Sequence, residues 1–198
     1  DLADLPALPP ASTMGRTKVA LIGNTGSPWH GLDRLGELAR LLPELDFVVI
    51  GCTATDFLAG DPTRQQPDNL QLLGMLPQRD YLPLLRDATA AFGTLGLYRK
   101  HMDEACPLKV REYLALGLPV IGAYRDTDIP DDADYFLRLP NNAEPLAPWR
   151  DRIAAFIEHW RGRRVPRSAI AHFDVSVKEA QRLAFMAEVR ERFVRDHA

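Results

Sequence analysis

The chain has 198 residues, 26% of them charged and 46% hydrophobic, which is the make-up of an ordinary globular domain with a substantial core. Lys plus Arg number 24 and Asp plus Glu 27, so the formal charge of −3 gives no support to a general nucleic-acid binder. Cys52 and Cys106 show neither CxxC nor Cys/His zinc spacing, so no metal site is expected, and two lone cysteines suit a reduced, cytoplasmic protein. No apolar run approaches the ~20 residues that span a bilayer, and no signal-peptide pattern is present.

Residues 1–16 are rich in Pro, Ala and Leu without a period and read as a linker or arm. The chain begins at Asp1 rather than Met, which suggests a piece of something longer. From residue 17 to 198 the pattern is that of one domain. "KVALIGN" (18–24) is a buried strand running into a loop with Gly23 and Gly26. "GLDRLGELARLLPEL" (31–45) spaces its leucines as an amphipathic helix. "DFVVIGC" (46–52) and "NLQLLG" (69–74) are the second and third strands. "QRDYLPLLRDA" (78–88) is a short helix with Asp80 as N-cap and Pro83 in its first turn. "TAAFGTL" (89–95) is the fourth strand. Residues 107–116 form a helix that opens on Pro107 and ends at Gly117. "LPVIGA" (118–123) and "DYFLRLP" (134–140) are the fifth and sixth strands, and helices follow at about 144–161 and 174–195. Between these two helices, Arg161, Arg163, Arg164 and Arg167 read as a solvated loop.

Continuous apolar strands alternating with helices predict an α/β domain: a Rossmann-like, doubly wound parallel sheet of about six strands. Such sheets bind ligands beyond the carboxyl ends of their strands, at the switch in strand order. The loop "GNTGSPWHG" after the first strand is neither GxGxxG nor a P-loop. Its Gly23, Asn24 and His30, ahead of a helix start, fit a plain turn and a phosphate loop equally well.

The stretch "EACPLKVREYLALGLPVIG" (104–122) carries more information. The first amides of its helix, near Leu108 and Lys109, have no intrahelical partner and point outward, where a diphosphate or sugar hydroxyl could meet them. Lys109 sits in a first turn, where the helix dipole disfavours a cation unless an anion is bound. Glu112 shares a helix face with Leu108, and a carboxylate can accept from both hydroxyls of a vicinal diol such as ribose. Two glutamates eight positions apart are common by chance. The full string, "E(x7)E" followed by "YLALGLPVIG", closely resembles the signature of retaining glycosyltransferases of family 4, which have the GT-B fold. "VALIGNTGSPWHGLDRL", "DFVVIG" and "NLQLLGMLPQRDYLPLLRDATAAFGTL" follow in that family's order, so the resemblance covers residues 17 to about 195.

The resemblance implies the carboxyl-terminal, donor-binding half of a two-domain GT-B enzyme, with the amino-terminal acceptor half absent. It implies a hexosyltransferase-like activity that moves a sugar from a UDP-, GDP- or ADP-sugar to an unknown acceptor (a glycan, lipid or small molecule) with retention, and no other cofactor. The isolated domain would be inactive, and any membrane association would come through the absent half. Glu112 would hold the ribose hydroxyls and Glu104 the transferred sugar. Amides of Cys106, Leu108 and Lys109 would meet sugar hydroxyls and phosphate, and Met75 and Leu76 would line the base. Where the family has an Arg and a Lys in the first loop, this chain has Asn24 and His30, so either His30 and Lys109 carry more of the phosphate charge or activity and donor affinity are reduced. Two other readings remain: a non-catalytic nucleotide or nucleotide-sugar module, and an interaction scaffold of the same fold. Cys106, at a helix start, could have a lowered pKa, but fits better as a small residue beside a ligand.

Overall fold

The structure, a computed structural model, describes residue 2 and residues 5–197. Six strands form one sheet: β1 (Thr17–Ile22), β2 (Leu45–Ile50), β3 (Leu70–Leu72), β4 (Ala88–Phe92), β6 (Val120–Gly122) and β8 (Phe136–Arg138). The order is β3-β2-β1-β4-β6-β8 and every pairing is parallel. Numbered among themselves, the six strands run third, second, first, fourth, fifth, sixth, the doubly wound order with its switch between β1 and β4. The six apolar runs of the sequence are these six strands. Two-residue strands β5 (Glu104–Ala105) and β7 (Arg125–Asp126) pair separately beside the sheet.

Both faces of the sheet are covered, which explains why β4 and β6 are buried throughout rather than alternating, while the edge strands β3 and β8 expose Gln71 and Arg138. On one face α1 (Leu32–Leu41), α2 (Ala54–Leu58) and α5 (Arg150–Trp160) bury Leu35, Leu38, Phe57, Ile153 and Ile157 against Val19, Leu21 and Phe92. On the other, α3 (Gln78–Asp87) and α4 (Leu108–Ala115) bury Leu85, Val110, Tyr113 and Leu114 against Ala20, Ala91 and Val120. The last helix, α6 (Val175–Asp196), starts on an Asp174 cap and leaves Phe185, Met186, Val189 and Phe193 exposed.

Several boundaries differ from the sequence expectation. Helix α1 stops at Leu41, because Pro43 disfavours helical geometry in the residue before it. Asp80 is not the N-cap of α3; Pro77 is, and Pro83 therefore lies inside the helix rather than in its first turn. Pro107 is likewise the extended N-cap of α4, not its first helical residue. Helix α2 was not expected; Thr53 and Asp56 close it with a reciprocal capping box. Gly117 ends α4 as expected. Its φ of 84° permits paired bonds from Gly117 N to Leu114 O and from Leu118 N to Tyr113 O, a Schellman turn.

The arginine cluster at 161–167 is not a solvated loop. Only Arg163 of the four is exposed. Arg164 donates to the carbonyls of Pro9, Ala88 and Arg86, Arg161 to Thr13, and Arg167 to Leu2 and Leu5. These bonds staple Leu2 and residues 5–13 of the arm along the domain, and Leu2, Leu5 and Leu8 pack against the α3/α4 core. Residues 1, 3 and 4 of the arm, and residue 198, lie outside the described residues.

At the switch point β1 loses its β4 partner after the pair Leu21–Phe92. The polar groups of the next residue, Ile22, are taken by α4 instead. Ile22 N–H donates to the Tyr113 hydroxyl at 2.6 Å, and Lys109 Nζ donates to Ile22 O at 3.0 Å. One helix face thus completes the end of the central strand. Tyr113→Phe removes the acceptor for a half-buried N–H, so it should cost about 1–3 kcal/mol. Urea unfolding would show this as a lower midpoint at unchanged slope; an unchanged midpoint would mean the bond carries no stability.

Candidate functional site

The carboxyl ends of β1, β2 and β3 are drawn together by backbone contacts that leave no room for side chains. Gly23 N donates to Ile50 O, and Gly51 N to Gly74 O. A Cβ on Gly51 would fall 2.0 Å from Gly23 O, and one on Gly23 would fall 2.7 Å from Cys52 Sγ. The loop after β1 then turns through Gly31, at φ 73°, against the loop after β4. Leu95 N and Gly96 N donate to His30 O and Trp29 O. Arg99 fastens the same contact, with two bonds to Asp33 at 2.6 and 3.0 Å and one to Pro28 O.

Into this junction α4 points its amino terminus. The amides of Leu108 and Lys109 take no backbone partner among the described residues. The Lys109 side chain does not reach into solvent. It is half-buried and turns to the end of β1, donating to Ile22 O and, at 3.0 Å, to His30 Nδ1. With Nδ1 accepting, the ring proton sits on Nε2 and is donated to Asn24 Oδ1 at 2.5 Å. Asn24, His30 and Lys109, expected as donor-binding residues, thus form one hydrogen-bonded chain beside Gly23. Burial lowers the Lys109 pKa from 10.5 to about 7, with Cys52 opposing. Burial and the Lys109 charge lower that of His30 from 6.5 to about 3. Both groups are thus inclined to be neutral above pH 7, and a neutral amine still has the two N–H bonds that its two acceptors need.

The remaining expected residues are not gathered at that point. Glu112 accepts from the Tyr81 hydroxyl at 2.8 Å, and with Leu108 it lines a cavity of roughly 640 Å³ alongside Gln78, Arg111 and Lys178. Asn24 lines a different cavity, roughly 490 Å³, with Asp33, Asp56, Arg64 and Arg99. Glu104 is exposed and ion-paired to Arg125 at 2.6 Å, a geometry worth little in water and easily exchanged for another partner. Met75 and Leu76 follow Gly74 at the strand edge; Met75 is exposed and Leu76 half-buried. Cys106 is not an activated thiol. Burial raises its pKa, and although Arg111 opposes, Asp126 and Asp128 reinforce the rise.

Four partners carried no sequence signal. Tyr81, Tyr113, Arg99 and Arg125 meet Glu112, Ile22, Asp33 and Glu104 across 21 to 91 residues of chain. Arg111, between Lys109 and Glu112, lies inside the signature helix, a position that is itself a sequence signal. It makes a two-bonded pair with the fully buried carboxylate of Asp126, at 2.5 and 3.0 Å, and lies over the Phe173 ring. Among the described residues no group of three His, Cys, Asp or Glu side chains is placed to hold a metal ion, and no helix is long and apolar enough to cross a membrane.

No protein-family model and no curated protein sequence matches the chain. Solved structures do. The lipopolysaccharide outer core galactosyltransferase WaaB aligns over 92% of this chain and 52% of its own, at a TM-score of 0.65 and 13% identity. The fold is that of a GT-B glycosyltransferase domain. Anabaena Alr3699/HepE, solved in complex with UDP and glucose, aligns over 88% of this chain and 49% of its own, with a TM-score of 0.62 and 18% identity. AviGT4, a glycosyltransferase involved in avilamycin A biosynthesis, aligns over 94% and 55%, with 0.61 and 17%. The chain therefore spans about half the length of these glycosyltransferases, and at such identities the likeness concerns the fold.

The lowered pKa of Lys109 has a consequence for the unliganded domain. Between about pH 7 and 10.5 the unfolded chain holds a proton on Lys109 that the folded domain has released. Stability therefore rises with pH across that window and is insensitive to this group below it. Relative to Lys109→Met, the wild-type domain should gain stability from pH 7 to 10 in chemical denaturation. A constant difference between the two would show that Lys109 keeps its ordinary pKa.

Proposed function

We propose that this domain binds the nucleotide-sugar donor of a retaining, family 4-like glycosyltransferase, whose acceptor domain lies outside the present chain. The observation that carries the proposal is the amino terminus of α4 at the switch point, with free amides at Leu108 and Lys109, the Lys109 amine beside them and Glu112 one turn on. A helix start of this kind favours an anion, and the diphosphate is the anion proposed. Glu112 then takes the ribose hydroxyls, exchanging its Tyr81 bond for them or sharing it. Met75 and Leu76 flank the base. Glu104 exchanges Arg125 for a sugar hydroxyl, and the amide of Cys106 joins it. Complexes of structural neighbours support the choice of ligand: HepE was solved with UDP-glucose, and the pneumococcal O-GlcNAc transferase GtfA with UDP and GlcNAc.

In the proposed reaction the bond between the anomeric carbon and the diphosphate oxygen breaks. Negative charge grows on the leaving diphosphate and positive charge on the sugar ring. The α4 amides and Lys109 are fixed before the reaction begins, so they stabilise the leaving group without reorganising. The acceptor attacks on the face that the diphosphate leaves, and the diphosphate takes its proton. No base is then required from this domain.

The length of the structural neighbours supports the absent acceptor domain. The exposed face of α6 supports it too, since Phe185, Val189 and Phe193 recur every four residues along one stripe beside Met186. A second reading, a binding module without turnover, is favoured by the loop after β1, where Asn24 is neutral and His30 is held neutral by burial.

Calorimetric titration with UDP, GDP and ADP tests the proposal, and failure of all three to bind the folded domain would refute both readings. Glu112→Ala should weaken the nucleotide that binds by about 1–3 kcal/mol. Glu104→Ala should spare free nucleotide and weaken the sugar nucleotide. Equal losses for both ligands would remove the proposed division between the two carboxylates.

A further inference from the structure

We infer that the end of β1, where His30 positions Lys109 but supplies no counter-charge, leaves Lys109 a neutral amine in the empty site, so that a diphosphate binds with uptake of a proton onto Lys109. The inference rests on the donor-binding reading above and concerns how that site handles charge.

Every group that faces the Lys109 amine is neutral or acts through burial. From β1 comes the Ile22 carbonyl, and from the loop after β1 the His30 Nδ1 lone pair, with Asn24 fixing the ring from its far side. From the end of β2 comes Cys52, fully buried, its thiol pushed up to about 11 by burial and by Asp56 behind it, so that it stays protonated. On α4 itself, Tyr113 bonds to Ile22 N and Glu112 to Tyr81, not to Lys109. Among the described residues no carboxylate pairs with this amine. Three other cations near the site have acid partners: Arg99 has Asp33, Arg111 has Asp126 and Asp128, and Arg125 has Glu104; Arg64 donates to the carbonyls of Phe57 and Ala59.

His30 matters because of what it can and cannot offer. A neutral imidazole accepts one hydrogen bond from Lys109 and excludes water from that side, but it brings no negative charge. An Asp or Glu at the same place would keep the ammonium charged before any ligand arrived. The arrangement leaves a cation-shaped place that is filled by a proton only when an anion stands at the α4 start. Burial, which lowers the pKa of the empty site to about 7, is then opposed by the ligand charge.

The test is UDP binding to the wild-type domain by calorimetry from pH 7.5 to 9.5, in Tris, HEPES and tricine, whose ionisation enthalpies differ. The terminal phosphate of UDP, with its pKa near ~6, is fully ionised throughout. The expected result is uptake of close to one proton per UDP and an affinity that falls about tenfold per pH unit. Lys109→Arg, with a side chain that stays charged, should bind without uptake and with a flat profile. His30→Ala, which admits water to the amine, should move the break in affinity to higher pH. Wild-type binding with no proton uptake and a flat profile would overturn the inference while leaving the donor-binding reading intact. No binding of UDP, GDP or ADP at any pH would overturn both together.

Discussion

The site is organised around the grip of α4 on Ile22. A parallel sheet that reverses its winding must separate a pair of adjacent strands, and where they diverge Ile22, the last residue of the central strand, keeps its β2 neighbour but loses its partner on the β4 side. Buried backbone groups need partners, and here both are supplied by one helix: Tyr113 receives the N–H and Lys109 serves the carbonyl. Because residues four apart share a helix face, this double contact fixes the rotation of α4 and the placement of its amino terminus over the end of β1. Glu112, between the two, is carried around to the Tyr81 side and its cavity. The requirement to satisfy one strand end therefore sets the positions of the residues that the ligand reading uses.

The surrounding charges are arranged with the same economy. Arg99 ties the loop after β1 to the loop after β4 through Asp33, and Arg111 is locked to the buried Asp126. Arg164, Arg161 and Arg167 are spent on backbone carbonyls of the arm and its neighbours. These cations build the scaffold. Lys109 is different: its partners are a carbonyl and an imidazole, and it stands beside unpaired amides. A buried cation without a counter-ion is costly, so burial favours the neutral amine; in the proposed complex the ligand anion would supply the counter-ion.

Much of the fold was legible in the sequence because it rests on local, periodic signals. The six sheet strands are the six apolar runs, and Gly117 marks the end of α4 because only a left-handed residue closes that turn. Lys109 was legible as an anomaly, a cation at the wrong end of a helix; the structure explains it by the side chain turning back to Ile22. What was not legible depends on distance along the chain. Nothing in "RGRRVPR" announces that Arg164 will meet Pro9, and nothing around Tyr81 announces Glu112. Helix α2 was too short for a period to show, though Thr53 and Asp56 carried its capping pattern. A helix start alone left open a lowered pKa for Cys106; burial and the carboxylates of Asp126 and Asp128 act in the opposite direction.

The central claim is that the donor's diphosphate sits at the α4 start rather than in the cavity between Asp33, Asp56, Arg64 and Arg99. Backbone amide shifts of the ¹⁵N-labelled domain during titration with UDP address it directly. The account predicts the largest changes at Leu108 and Lys109, with smaller ones at Gly23 and Glu112. Changes confined to Asp56, Gly60 and Arg64, with Leu108 and Lys109 unmoved, would contradict it.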